Sequence, residues 1–169
     1  MIDKEPYKCV IFDLDGTLVQ TMSGDKFRKT AKDWKWLPNR LERCQQLRND
    51  GVILGIATNQ AGVAFEWSRF TEREMQREID IVAYSIGASP FAVKVCYTTP
   101  NEKALLHYWG PFDKRRKPGP NMLLEIIEAA EMAKTHILMV GDRVEDMQAA
   151  QSAGIDFAKA DIYFGGGTY

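Results

Sequence analysis

The stretch Val10-Ile11-Phe12-Asp13-Leu14-Asp15-Gly16-Thr17-Leu18 constrains this chain more than any other. An apolar run, residues 9–12, carries the backbone into two carboxylates, and a glycine and a threonine turn it away. A short run that is apolar at every position reads as a strand buried on both faces, as in a parallel sheet covered by helices. A strand stopping on Asp13 puts a charge at the carboxyl edge of that sheet, where open α/β folds bind ligands. Asp15 lies two residues on, and Gly16 permits a tight turn that folds its side chain back over the same place. Two acids that close repel each other unless a cation sits between them. A buried strand followed by a solvated Asp-Gly turn suits the same residues, and this stretch by itself does not choose between turn and site.

The rest of the chain repeats the pattern. Residues 52–57 form a second apolar run, ending on Thr58-Asn59-Gln60; residues 91–97 read as a third strand; Ile137-Leu138-Met139-Val140 is a fourth, stopping on Gly141-Asp142; residues 155–158 make a short last one. Helical patterns separate them. Pro38 opens a helix at its first turn, with Leu41, Cys44 and Leu47 on one side and Asn49-Asp50-Gly51 as its stop. A longer helix over residues 71–86 turns Met75, Ile79, Val82, Ala83 and Ile86 inward at three- and four-residue spacing. Past Pro118-Gly119-Pro120 a helix places Leu123, Ile127 and Ala130 inward, and residues 143–153 form another, capped by Gly154. Strands alternating with helices predict an α/β fold, a Rossmann-like doubly wound parallel sheet without a large cap domain, with residues 1–169 as a single domain. The polar strand ends then gather on one edge: Asp13 and Asp15, Thr58, the Lys117 region and Asp142. That convergence points to a site.

Two long stretches lack periodicity, residues 20–37 and 98–117. The first carries Lys26, Arg28, Lys29, Lys32 and Lys35 against the single acid Asp33 between residues 26 and 35, and contains Trp34 and Trp36. The second ends in Lys114-Arg115-Arg116-Lys117. Loops of this length commonly border a site. The two tryptophans suit either a core plug or a stacking surface. His107 and His136 are isolated and read as surface or packing residues, and the glycines at 165–167 as a flexible tail without chemistry.

Composition narrows the class. A net charge of −1 excludes a strongly basic nucleic-acid binder while leaving room for local basic patches. The three cysteines form no CxxC pair, the N-terminal residues lack the build of a secretion signal, and no apolar run reaches the ~20 residues of a membrane span. The expectation is a cytoplasmic protein with reduced thiols and no membrane partner.

Asp13, Asp15 and Asp142 offer hard oxygen ligands, which suit Mg²⁺ better than zinc or copper. Thr58 and Lys117 favour a phosphoryl group. A carboxylate there can attack phosphorus and form an aspartyl-phosphate, while a second protonates the leaving alcohol and then takes a proton from water. Phosphomonoester hydrolysis fits these residue types. A phosphorylatable receiver domain would lack Gly16-Thr17 after its acid pair, and no GxxxxGK[ST] phosphate loop occurs.

Asp13-Leu14-Asp15-Gly16-Thr17, Thr58-Asn59-Gln60, Arg116-Lys117-Pro118 and Gly141-Asp142-Arg143-Val144-Glu145-Asp146 together resemble the four motifs of the haloacid dehalogenase (HAD) superfamily. The likeness spans residues 10–153 and is closest to the minimal-cap subclass IIIA, which includes polynucleotide 3′-phosphatases, heptose-bisphosphate phosphatases and histidinol-phosphate phosphatases. The resemblance implies Asp13 as nucleophile and Asp15 as acid/base. It implies phosphate or substrate binding by Thr58, Asn59, Arg116, Lys117 and Arg143. It implies Mg²⁺ on Asp13, Asp142 and the Asp15 main-chain carbonyl, with Asp146 behind them. Residues 21–34 look like the polynucleotide 3′-phosphatases; residues 139–150 look more like the heptose-bisphosphate phosphatases. The latter carry a zinc loop before the Arg-Lys-Pro motif, where this chain keeps Cys96 but has Thr98, Asp113 and Arg115. A single cysteine makes no tetrahedral site, so no structural zinc is expected. The expected substrate is a DNA or RNA 3′ end, with the basic residues 26–35 and 114–116 tracking the backbone and Trp34 or Trp36 stacking on a base. A small sugar or histidinol-type phosphate is the alternative.

Overall fold

A computed structural model describes residues 6–165. Five strands form one parallel sheet: β1 (Cys9–Phe12), β4 (Ile53–Asn59), β5 (Val93–Cys96), β6 (Ile137–Gly141) and β7 (Asp156–Lys159). Their order across the sheet is β5-β4-β1-β6-β7, every neighbouring pair parallel. A two-stranded antiparallel hairpin, β2 (Val19–Gln20) with β3 (Lys35–Trp36), stands apart from it. The helices are α1 (Arg40–Asn49), α2 (Glu72–Ile86), α3 (Asn121–Ala130), α4 (Val144–Ala153) and the short α5 (Ala160–Tyr163).

Alternation along β1 sorts the core into two layers, because successive side chains leave a strand on opposite faces. Val10 and Phe12 pack with Cys44 and Leu47 of α1 and with Met75, Ile79, Val82 and Ile86 of α2. Cys9 and Ile11 pack with Met122, Leu123, Ile126 and Ile127 of α3 and with Ala149, Ala150 and Ala153 of α4. Both faces are covered, which is why β1 and β6 are apolar throughout. The doubly wound α/β fold stands as expected, and no cap domain is present among the described residues.

Details differ from the pattern-based expectation. α1 starts at Arg40 rather than Pro38, with Asn39 in the left-handed region (φ 63°) as its N-cap. Its buried side includes Arg40, whose Nε donates to the Thr17 carbonyl at 3.0 Å and whose guanidinium lies 4.2 Å from the centre of the Phe164 ring. Leu41 is only half-buried. In α3 the inward side is Met122, Leu123, Ile126 and Ile127, and Ala130 is half-buried. The long helix keeps its predicted stripe, and Thr71 and Glu74 close a capping box at its start. Cys9, Cys44 and Cys96 are free and buried. No helix among the described residues is long and apolar enough to cross a membrane. Met1–Glu5 and Gly166–Gly167, on which the signal-sequence and tail expectations rest, lie outside the described residues.

Candidate active site

β1 has β4 on one side and β6 on the other, so the chain leaves the sheet in opposite directions around it. Ligand crevices of open α/β sheets form at this switch point, beyond the carboxyl ends of the strands. Asp13 follows β1, Thr58 and Asn59 end β4, and Asp142 follows β6.

Lys117 arrives from the long loop before α3 and is buried to 3% exposure. Its Nζ donates to Asp13 Oδ1 at 2.8 Å, to Asp146 Oδ1 at 2.6 Å and to the Ala57 carbonyl at 2.7 Å. All three protons of the ammonium are thereby placed. Burial opposes its charge, but Asp13 and Asp146 outweigh burial and hold the ammonium above its ordinary value. Asp146 caps α4 as well, accepting from the Arg143 N–H at 3.1 Å. Asp146 is therefore no helix-surface charge: it is 2% exposed with both oxygens committed.

Asp13, Asp142 and Asp146 each offer an oxygen within 4.8 Å of the others. Burial pushes the Asp13 carboxyl up to about 7, Lys117 pulls it back, and Asp146 and Asp142 add like charge. Burial, then Asp146, also raises Asp142. Three carboxylates facing one ammonium leave two negative charges, the deficit a divalent cation neutralises, and hard carboxylate oxygens are the donors Mg²⁺ prefers. The residues fit that ion: with Asp146 engaged, Asp13 and Asp142 are the side chains that would hold it. Gly16 has φ 84°, and a Cβ there would overlap the Asp142 carboxylate, so the turn after Asp15 needs glycine for conformation and for space.

The Asp15 carboxylate stands outside that cluster and has a cationic side chain of its own. Asp13 is matched by Lys117, and Asp15 by Arg28, whose Nε and Nη2 both donate to Asp15 Oδ1, at 3.0 and 2.6 Å. Gln60 Nε2 donates to Asp15 Oδ2 at 2.7 Å and to Thr58 Oγ1 at 2.9 Å. Gln60 was not among the expected site residues, and Arg28 was expected on a nucleic-acid backbone with the other basic residues 26–35, not on Asp15. Arg28 sat in a run of basic residues, which reveals charge but not burial; Gln60 was visible as the third member of a strand-end motif. Asn59 does not aim its amide at open space. Its Nδ2 donates to the Lys117 carbonyl at 2.9 Å and its Oδ1 accepts from the Lys117 N–H at 3.0 Å, so it anchors the segment that delivers the lysine.

A cavity of ≈ 1210 Å³ opens over these groups, lined at its floor by Asp13, Asp15, Thr58 and Lys117. Arg116, which donates to the Thr98 carbonyl at 3.0 Å, and the exposed Arg143 also line it. The expected basic track is mostly elsewhere. Arg28 is buried on Asp15, Lys29 pairs with Asp25 at 2.9 Å, and Arg115 pairs with Glu125. The tryptophan expectation is also corrected: Trp34 and Trp36 pack edge-to-face on the core, and Trp34 Nε1 donates to Glu78 at 2.8 Å. Cys96 lies 3.2 Å from Thr98 Oγ1, which donates to Asp113 at 2.7 Å.

Comparison with known proteins gives the class first. A crystal structure of D,D-heptose 1.7-bisphosphate phosphatase from B. bronchiseptica complexed with magnesium and phosphate superposes with a TM-score of 0.69 at 25% identity, over 89% of this chain and 78% of that one. The protein is similar to HAD-superfamily phosphatases in fold and sequence, and its enzymatic class is that of a HAD phosphatase. The chain belongs to the polynucleotide kinase 3 phosphatase family, whose model matches residues 8–167. Among curated relatives, the D-glycero-beta-D-manno-heptose-1,7-bisphosphate 7-phosphatase of Pseudomonas putida is 27% identical over 87% of this chain and 78% of its own length. The bifunctional polynucleotide phosphatase/kinase of Schizosaccharomyces pombe is 27% identical over 98% of this chain, which spans 40% of that protein.

Proposed function

We propose that the protein is a Mg²⁺-dependent phosphomonoesterase that removes the 3′-phosphate from a polynucleotide end. The phosphate ester enters with phosphorus facing Asp13. An Asp13 oxygen forms a bond to phosphorus while the bond to the ester oxygen breaks. Asp15 delivers a proton to the departing alkoxide, giving the 3′-hydroxyl and an aspartyl-phosphate. Asp15, now ionised, takes a proton from a water as that water attacks phosphorus, releasing inorganic phosphate and restoring Asp13. Each carboxylate oxygen has two lone-pair sites. Asp15 Oδ1 accepts twice from Arg28, whereas Oδ2 accepts once, from Gln60. Oδ2 is therefore the oxygen that carries the proton. Thr58, whose hydroxyl accepts from Gln60 and keeps its own proton to donate, orients a phosphoryl oxygen. Lys117, its three protons committed, fixes Asp13 and contributes its charge, with Arg116 and Arg143 nearer the cavity mouth, and Asn59 serves by fixing Lys117. Mg²⁺, when bound by Asp13, Asp142 and the main chain at Asp15, supplies charge neutralisation between an anionic nucleophile and an anionic substrate.

The observation that carries the polymer reading is the cavity. At ≈ 1210 Å³ it exceeds the roughly 300–1,000 Å³ that small ligands fill, and no cap covers it among the described residues. The family match favours the same substrate. A sugar phosphate is the second reading, favoured by the heptose-bisphosphate phosphatase relatives. Three buried free thiols support the expected reducing, cytoplasmic setting. The deciding experiment compares a 3′-phosphorylated oligonucleotide with heptose and histidinol phosphates in one Mg²⁺ buffer. The polymer reading requires a kcat/KM at least about 100-fold higher for the oligonucleotide, roughly 2.7 kcal/mol of transition-state preference. Preference for a sugar phosphate overturns it.

A further inference from the structure

Between β4 and α2 the chain makes a turn closed by the Ser68 N–H donating to the Phe65 carbonyl at 3.0 Å. Side chains two apart on an extended segment lie on the same face some distance apart, but this turn draws Phe65 and Trp67 into contact. Their rings stack almost parallel, centroids 5.5 Å apart and planes at 9°. Phe65 is half-buried beneath; Trp67 is 58% exposed. A core plug does not leave its indole in solvent, as Trp34 and Trp36 demonstrate by packing on the core. The stack lines the same cavity as Asp13 and Lys117. Beyond it a smaller depression of ≈ 550 Å³ continues outward, sharing Asp25, Lys26, Phe27 and Trp67 with the cavity and adding Lys29 and Arg69. A path thus runs from the carboxylates, across exposed aromatic surface, to a margin where Lys26 and Arg69 stand beside the Lys29–Asp25 ion pair.

We propose that the Phe65–Trp67 stack is a nucleobase platform: a base near the 3′ end of the strand lies on the Trp67 ring while Lys26 and Arg69 face the backbone phosphates. This inference rests on the polynucleotide reading above. A flat π-surface accepts any base, since each has a π-face, and so selects for the presence of a base over its identity. Phe65 backs the Trp67 ring face to face, which limits the side-chain ordering that binding must supply. The basic side chains at the margin match the charge of a phosphodiester backbone.

The test uses two 3′-phosphorylated oligonucleotides, identical except that one has its last two nucleotides abasic. Wild-type protein should favour the intact strand by about 10-fold or more in kcat/KM, the difference lying in KM. In Trp67→Ala that ratio should fall to near one, and Trp67→Phe should keep most of it. Trp67 is exposed, so Trp67→Ala should retain the wild-type melting temperature. If Trp67→Ala keeps the wild-type ratio, or wild type never distinguishes the two strands, the platform is overturned while the polynucleotide reading stands. If wild type hydrolyses sugar phosphates and neither oligonucleotide, both fall together.

Discussion

At the sheet edge, Asp13, Asp142, Asp146 and Lys117 sit on strand ends, on a helix's first turn or against them, and their polar atoms meet one another inside the fold. In the loops above, Arg28, Gln60, Phe65 and Trp67 reach the same cavity from segments without regular structure. The edge is suited to one task common to all phosphate esters, holding a charged centre whose geometry the core cannot easily deform. The loops set how Asp15 is held and, in the reading proposed above, what the phosphate is attached to. The chain's similarity to relatives named for two different substrates, a heptose bisphosphate and a polynucleotide, accords with this division.

Removing the edge's central group should have the largest effect. Asp13→Asn keeps the shape and leaves Lys117 paired with Asp146, so the protein should fold. Phosphate release should fall by at least about 10⁴-fold, as when a covalent nucleophile is lost. Residual turnover above a few per cent, measured on a purified variant with wild-type thermal stability, would contradict the nucleophile assignment.

The loop contribution is next. Arg28→Met removes both bonds to Asp15 Oδ1 and frees the proton carrier from its fixed orientation. For an alkyl phosphate, whose leaving alkoxide needs a proton, kcat should drop on the order of 100-fold. For an aryl phosphate with an acidic leaving group the drop should be much smaller. Arg28→Lys should recover only part, because an ammonium cannot give two bonds to one oxygen and a third to the Ala31 carbonyl in the fork geometry of a guanidinium. Equal losses on both substrates would mean that Arg28 supports the fold and not proton transfer.

The same contrast governs what the sequence reveals. Strands β1, β4 and β6 and helix α2 were legible because burial on both faces, or a helical stripe, leaves a periodic signal. Asp13 and Asp142 were legible because they stand at the ends of those signals, and Lys117 because it closes a basic cluster in the Arg116-Lys117-Pro118 motif. The hairpin β2–β3 was not, since two residues per strand carry no alternation. Arg28 was read with its neighbours as part of a basic track for a nucleic-acid backbone, and only the folded loop shows it turned inward onto Asp15. Asn59 was placed on phosphate by its motif, whereas its amide is spent on the Lys117 backbone. Phe65 and Trp67 went unnoticed because a ring's exposure cannot be told from its position.

Metal and pH probe the charge balance of the edge. Mg²⁺ at 100 times its dissociation constant should stabilise the folded protein by about 2.7 kcal/mol, read as a rise in melting temperature, and Asp142→Asn should abolish the rise. Without metal, the Asp13 carboxyl in the folded protein is raised from 3.8 to about 7. A raised carboxyl binds its proton more tightly folded than unfolded, so its contribution is full below the unfolded value and is lost as pH climbs through the folded one. Metal-free protein should therefore lose stability between about pH 4 and 7, and Mg²⁺ should flatten that slope by stabilising the ionised form. A slope that is unchanged by Mg²⁺ would place the cation elsewhere.

The smallest effect separates a structural tryptophan from a recognition one. Trp34→Phe keeps an aromatic ring on the core but removes the N–H that Glu78 accepts. Glu78 is 8% exposed, and a buried acceptor left without its donor costs about 1–3 kcal/mol. The midpoint of urea denaturation should fall accordingly, while KM for a 3′-phosphorylated oligonucleotide stays within about twofold of wild type. Trp67→Ala should show the reverse, a raised KM with an unmoved midpoint. If Trp34→Phe raises KM and spares the midpoint, base recognition belongs to residues 34–36, and the contrast between a packed edge and a recognising loop has been drawn through the wrong tryptophan.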